Sequence, residues 1–271
     1  MLKILVTSIG SFSAESVINS LKKNNTYVVG CDLNPAAWLP VSYMFDAFYQ
    51  VPHSNNSDLY IETLLEICNA NNINHIIPLT DYEIDLLSLH KDYFEKKKIK
   101  ICISGEPETI NLCRDKYLVH EFFKEDNKVN VIPTYISDYN LTYPAILKPR
   151  KGRSSEGIKF INNESDLNYK FKSLSDYIIQ PYFEGDIYTV DYIREKKSTK
   201  HFSISRRELI RTKNGAGLTV EIMYNKILEE TVAYIGDKLN INGCINFEFI
   251  YSNNTFYLMD INPRFSAGIA F

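Results

Sequence analysis

No apolar run in the 271 residues approaches the ~18 needed to cross a bilayer. The start, Met-Leu-Lys-Ile-Leu-Val, passes straight into a strand pattern without the layout of a secretion signal. Neither sign of charge dominates: 30 Lys and Arg face 33 Asp and Glu, a net charge of -3. Without a basic field, nucleic acid is not an expected partner, and no membrane partner is expected either. The five cysteines, Cys31, Cys68, Cys102, Cys113 and Cys244, are odd in number and contain no Cys-x-x-Cys pair. They read as reduced structural thiols of a cytoplasmic protein. His53, His75 and His90 lack companions at metal-ligand spacing. There is no internal repeat and no low-complexity segment. A hydrophobic content of 45% with 23% charged residues is ordinary for a globular chain, and the length suits one large or two moderate domains.

The first third alternates strands and helices. Lys3–Thr7 is an apolar strand, and Ala14, Val17, Ile18 and Leu21 repeat at helical spacing, with Ser11 or Ser13 able to cap. Thr26–Asp32 is the next strand. This order implies a parallel sheet with right-handed crossovers, a Rossmann-like α/β unit. Further helices follow Asp58 and Asp81, and strands cover His75–Leu79 and Ile99–Ile103. Glycine is scarce where a dinucleotide fingerprint requires it: the loop after the first strand holds only Gly10, although Asp32 stands where a ribose-binding acid would. Asp81, at the carboxyl end of a strand, either faces a ligand or caps the next helix.

The middle third reads as a helix from Thr109 to Lys124 carrying Asp115-Lys116, then a strand Tyr143–Pro149 containing Lys148. A lysine inside an apolar strand is uncommon without a partner, and a phosphate suits it. Arg150–Ile158 fits a basic, hydroxyl-rich hairpin loop with Gly152, Ser154, Ser155 and Gly157. In the last third, Ile187–Ile193 alternates as a strand, and Thr199–Leu209 is a second one. Arg206, Arg207, Arg211 and Lys213 crowd near Gly215 and Gly217, either as solvated charge or as a site for an anion. A helix through Leu228, Val232, Ile235 and Leu239 precedes two runs rich in Phe, Tyr and Ile, joined at Ser252–Thr255. Phe247, Phe249 and Tyr251 share one face of the first run, with Glu248 and Ile250 on the other. On the second, Tyr257, Met259 and Ile261 share a face opposite Asp260, Asn262 and Arg264. A hairpin loop of odd length, such as Asn253-Asn254-Thr255, sets Glu248 against Asp260; a two-residue loop separates them. Facing carboxylates repel unless a cation lies between them, and Mg²⁺ is held by one or two carboxylates together with substrate phosphates.

Phe247-Glu248-Phe249 followed by Leu258-Met259-Asp260-Ile261-Asn262-Pro263-Arg264 resembles the metal-binding end of the ATP-grasp superfamily, in particular the carbamoyl-phosphate-synthase-like carboxylate–amine ligases. The resemblance implies a Rossmann-like domain over 1–108 and an ATP-grasp domain over 109–271. Within the latter it implies a lid subdomain at about 130–180 and a metal-binding subdomain, α+β in character, at about 184–271. It implies Mg²⁺ (or Mn²⁺) on Glu248, Asp260 and Asn262, and ATP contacted by Lys116, Lys148 and the loop with Ser154 and Ser155. It further implies adenine contacts at Gln180 and Phe183. The usual ribose acid position holds Ile187, so Asp186 or Glu184 would serve. Arg264, with Lys148, would act on the reacting phosphoryl group. Relatives continue past this point, which implies a C-terminally shortened chain, and a homodimer is compatible. The implied activity is ATP-dependent ligation: a carboxylate becomes an acyl phosphate and an amine displaces phosphate. The alternatives are a nucleotide-binding subunit without ligase activity and an NAD-binding oxidoreductase.

Overall fold

A computed structural model describes residues 2–136, 141–152, 156–170, 175–195, 200–213 and 215–267. The chain forms two compact units, one made of residues up to Ile110 together with the segment from Pro263, the other of Asn111–Asn262.

The first unit contains β1 (Lys3–Val6), α1 (Ala14–Lys22), β2 (Tyr27–Asp32), β3 (Ala47–Gln50), α2 (Ser57–Asn71), β4 (His75–Ile77), α3 (Asp81–Leu89), α4 (Lys91–Lys96) and β5 (Lys100–Ile101). The five strands are all parallel, in the order β3-β2-β1-β4-β5. Parallel strands need crossovers, and the helices supply them while covering both faces. Hence β1 is apolar from Ile4 to Val6: Leu5 enters the core beneath α2, while Ile4 and Val6 enter the opposite core with α1. The short β3 was not evident from the sequence, because its Ala-Phe-Tyr-Gln is only partly buried.

Helix α5 (Pro107–Arg114) leads into the second unit, whose first helix is α6 (Lys116–Phe123). The expected single helix from Thr109 to Lys124 is therefore broken. Asp115 adopts an extended conformation (φ -109°, ψ 105°), and its carboxylate accepts from the N–H groups of Tyr117 and Leu118. It is an N-cap, and it starts a new helix at Lys116.

Beyond lie β6 (Ala145–Pro149), β7 (Lys159–Ile161), α7 (Glu164–Lys170) and β8 (Tyr177–Pro181), with the small antiparallel sheet ordered β7-β6-β8. Then come β9 (Asp186–Arg194), β10 (His201–Arg211), β11 (Gly217–Met223), α8 (Lys226–Lys238), β12 (Gly243–Ser252) and β13 (Thr255–Asn262). These strands form a larger antiparallel sheet, β11-β10-β9-β12-β13. Its apolar face packs Tyr188, Val190, Tyr192, Phe247 and Phe249 against α6 and α8.

The β12–β13 hairpin corrects the sequence reading. Ser252 pairs with Thr255, so the loop is the two-residue Asn253-Asn254, both at positive φ (48° and 59°). Asparagine tolerates this conformation, and two such residues suit the tight primed turn that matches strand twist. A two-residue loop alone would set Glu248 against Met259. A register shift beyond the Phe249–Leu258 pair inserts one extra residue, and Glu248 then faces Asp260. The same bulge changes the core face of β13. Phe256 and Leu258 pack with Ile261 in the core, rather than Tyr257 and Met259 with Ile261.

Among the described residues, no helix is long and apolar enough to cross a membrane. None of the five cysteines is in a disulfide. Burial pushes the thiols of Cys68, Cys113 and Cys244 up to about 12, which keeps them unreactive.

Deleting Met259 removes the bulge and leaves Asp260 opposite Glu248 and Asn262 opposite Asn246 in a regular ladder. The urea midpoint should then move by the equivalent of about 1 kcal/mol or less. Met259→Ala keeps the register and should cost about 1 kcal/mol.

Candidate functional site

The register collects polar residues on the face of the large sheet turned away from its core. Glu248 lies between Asp260 on β13 and Thr189 on β9, and Thr189 faces Arg206 on β10. In the next row Asn246 lies between Asn262 and Asp191. Buried Arg206 donates to Asp191 at 2.5 Å, and Asn246 Nδ2 donates to the other oxygen of Asp191 at 2.9 Å. Sequence reading passed over Asn246, Asp191 and Thr189. Their signal is a polar residue at every second position of otherwise apolar strands, but only the register shows that they line up.

Two carboxylates side by side on adjacent strands are destabilising unless compensated. Lys116 Nζ stands 3.1 Å from Asp260 Oδ2, and Arg211 Nη2 stands 3.0 Å from Glu248 Oε2. Asn262 Nδ2 approaches Glu248 Oε1 at 3.4 Å. The third cation, Lys148, belongs to the small sheet. Its β6 neighbours Ala145 and Leu147 face the small core, so Lys148 shares the opposite face with Ile146, Ile178 and Gln180. Burial, the chief cause, and nearby Lys116 bring the Lys148 ammonium down to about 8, while Asp260 and Glu248 pull in the other direction. Lys148 is therefore electrostatically in touch with the same cluster.

Lys116 owes its place to a pair not singled out beforehand. Arg150 grips Asp115 through two bonds, Nε to Oδ1 at 3.1 Å and Nη2 to Oδ2 at 2.7 Å. Its carbonyl accepts from the Lys116 N–H at 3.1 Å, and its guanidinium lies over the Tyr117 ring. The residue two beyond Lys148 thus ties β6 to the first turn of α6, and both lysines are fixed together.

Other expected site residues are distributed as follows. Gln180 is buried, and its side chain donates to Thr134 Oγ1 at 2.8 Å. Phe183 meets Tyr257 edge-to-face at 4.8 Å, and Tyr257 shares the face of Glu248. Asp186 is a correction: it alternates with Tyr188 and Val190 onto the core-side face, opposite Glu248, where Arg207 lies 3.5 Å away. Strand alternation thus puts Asp186 on the face away from Glu248, while Glu184 is exposed. The four crowded cations also divide. Arg206 and Arg211 face the site, Arg207 pairs with Glu221 and Asp186 behind it, and Lys213 is exposed. Ser154 and Ser155 lie outside the described residues. Arg264 is described within the first unit, where its Nε donates to Asp81 at 2.9 Å at the carboxyl end of β4. Asp81 is not the cap of α3. Thr80 holds that position, with its N–H and hydroxyl donating to Glu83 Oε2. Asp32 likewise has a local duty: its Oδ2 accepts from the Gly10 N–H at 2.8 Å, and its Oδ1 from Asn34. Its carboxylate ties the loop after β1 to the end of β2.

Among the described residues, no three His, Cys, Asp or Glu side chains gather as a metal centre. Two carboxylates and an amide oxygen are too few for a metal enclosed by protein alone. They match an ion that takes its remaining ligands from phosphate and water.

The ATP-grasp domain model matches residues 113–268, and the PylC-like N-terminal domain model matches residues 4–102. The chain belongs to the ATP-grasp family. It is 27% identical over 156 residues to a D-alanine–D-alanine ligase of Petrotoga mobilis, which covers 51% of this chain and 50% of that protein. The chain thus spans about half the length of that relative. Its fold is that of biotin carboxylase from Campylobacter jejuni in complex with β,γ-ATP, with a TM-score of 0.79 and 18% identity over 99% of this chain and 66% of that one. N5-carboxyaminoimidazole ribonucleotide synthetase from Thermotoga maritima matches with a TM-score of 0.69 and 20% identity, over 97% and 69% of the two chains.

Lys148 binds fewer protons when folded than its ordinary value of 10.5 allows when unfolded, so its contribution to stability rises between about pH 8 and 10.5. Lys148→Met should abolish this slope and raise the melting temperature of the nucleotide-free protein at pH 7. Arg150→Met should cost roughly 1–3 kcal/mol in denaturant unfolding by leaving buried Asp115 without its guanidinium.

Proposed function

We propose that this protein is an ATP-dependent ligase that activates a small-molecule carboxylate as an acyl phosphate for attack by an amine. The observation that carries the reading is the meeting of Glu248, Asp260 and Asn262 with Lys116, Lys148 and Arg211, drawn from two sheets and a helix start. Membership of the ATP-grasp family supports it, as do relatives named as ligases and a fold neighbour solved with an ATP analogue.

In this reading Lys148 and Lys116 bind the phosphate chain as point charges. Gln180 and Phe183 border the base, and Ser154 and Ser155 belong to the loop over the terminal phosphates. Glu248, Asp260 and the Asn262 amide oxygen would hold Mg²⁺ or Mn²⁺, which when bound neutralises charge between neighbouring phosphates. A carboxylate and a triphosphate repel each other, so fixed cations must lower the cost of bringing the carboxylate oxygen in line with the γ-phosphorus. Phosphoryl transfer forms the acyl phosphate and releases ADP. The amine nitrogen then bonds to the acyl carbon, the carbon–oxygen bond to phosphate breaks, and phosphate leaves with that electron pair and takes up the proton that the nitrogen loses. No protein nucleophile is required, because positioning carries the rate. Arg264 is assigned to the reacting phosphoryl group in the same reading. The domain division, with ATP-grasp chemistry over 109–271, is part of the proposal.

The experiment is ADP release measured across a panel of carboxylates and amines, beside equilibrium binding of Mg·ATP. Glu248→Ala and Lys148→Ala should each weaken Mg·ATP binding by about tenfold or more, equivalent to roughly 1.4 kcal/mol. Variants that bind Mg·ATP as wild type does would falsify the site. Binding without ADP release on any substrate pair would favour a nucleotide-binding subunit instead.

A further inference from the structure

Arg211 has two attachments of different kinds. Its Nε donates to the carbonyl of Gly215 at 2.9 Å, within a turn closed by Thr212 N–H to Ala216 C=O at 2.8 Å. Its Nη2 reaches across the sheet to Glu248 Oε2 at 3.0 Å. The first bond fixes the guanidinium to its own turn, while the second ends on a carboxylate that the proposed metal would claim. The Arg211 side chain is 25% exposed, so its outer edge is open to a ligand. Asp260 is in the same condition, with Lys116 at 3.1 Å, and Asn262 turns its Nδ2 donor towards Glu248. Both carboxylates proposed as metal ligands are therefore engaged with a cation of the chain itself.

Charge decides what such a site accepts. Lys116, Lys148 and Arg211 meet Glu248 and Asp260, and Glu208 joins the same face through Thr189 Oγ1 at 2.8 Å, so the cations and carboxylates of the cluster are already matched. A bare divalent ion would add unmatched positive charge and would have to displace Arg211. A divalent ion arriving with a polyphosphate brings its own anion, and the freed guanidinium gains a bidentate partner of matching geometry.

We propose that Arg211 is a displaceable cation: it neutralises Glu248 while the site is empty, yields that carboxylate to the metal, and transfers its guanidinium to the phosphate chain. The inference rests on the ligase reading of the same site and adds a rule to it, that metal and nucleotide bind together and metal alone binds poorly. Coupling of this kind is reciprocal, so ATP and metal each strengthen the other through Arg211.

Mn²⁺ binding to the nucleotide-free protein, followed by electron paramagnetic resonance, tests the displacement. Arg211→Met should bind Mn²⁺ alone at least about fivefold tighter than wild type, the scale of one partly exposed ion pair. Arg211→Lys should behave as wild type there. With saturating Mn²⁺, equilibrium dialysis should show ATP bound more weakly by Arg211→Met. Arg211→Gln takes the place of the methionine variant if that one does not fold. Nucleotide-free Mn²⁺ affinity that is unchanged or weaker in the neutral variants, while wild type still binds ATP with Mn²⁺, overturns the displacement and leaves the ligase reading standing. A wild-type protein that binds no ATP with Mn²⁺ overturns both.

Discussion

Glu248 and Asp260 sit opposite each other on neighbouring strands, and their mutual repulsion is the constraint around which the second unit is arranged. Such a pair persists in a folded protein only where positive charge is brought to it. Here it comes from three separate places: the first turn of α6, the end of β10 and the interior of β6. None of these is near the hairpin in sequence. Each is held by its own local device, respectively the Asp115 cap gripped by Arg150, the turn at Thr212–Ala216, and the pairing of β6 with β8. The like-charged Lys116 and Lys148 are tolerated because the carboxylates lie among them.

The site and the core share one register. Tyr251 with Phe256, Phe249 with Leu258, and Phe247 with Ile261 are the facing apolar pairs of the hairpin. Their burial fixes which side of each strand is left for polar residues. The bulge at Met259 lets a tight two-residue asparagine turn coexist with the pairing of Glu248 and Asp260. Apolar burial, acting over the whole sheet, is far larger than the repulsion of one carboxylate pair. It therefore holds the acids together, where an isolated hairpin would let them part.

In the first unit, the carboxyl ends of β1, β2 and β4 carry the residues that suggested ligand binding, and several of them have internal partners. Asp32 closes its loop onto Gly10, Glu83 caps α3 with Thr80, and Asp81 receives Arg264. Glu83 also accepts from the buried Tyr60 hydroxyl at 2.5 Å. Polar groups placed among apolar strands need such bonds.

Alternation and spacing alone determined much of this protein. Period-two patterns marked β9, β12 and β13, apolar runs marked β1, β2 and β4, helical repeats marked α1, α2 and α8, and Lys148 stood out as a charge inside an apolar strand. These signals are local, because a side chain's preference for burial is read from its immediate neighbours. What the tertiary structure decided is long-range. The break at Asp115 depends on Arg150, thirty-five positions away. The bulge depends on which faces of β12 and β13 the helices cover. The core-side placement of Asp186 follows from its pairing with Tyr251, and the pairing of Arg264 with Asp81 spans 183 positions. A sequence states which residues can bear charge, but a charge acquires its partner only when distant segments close upon one another.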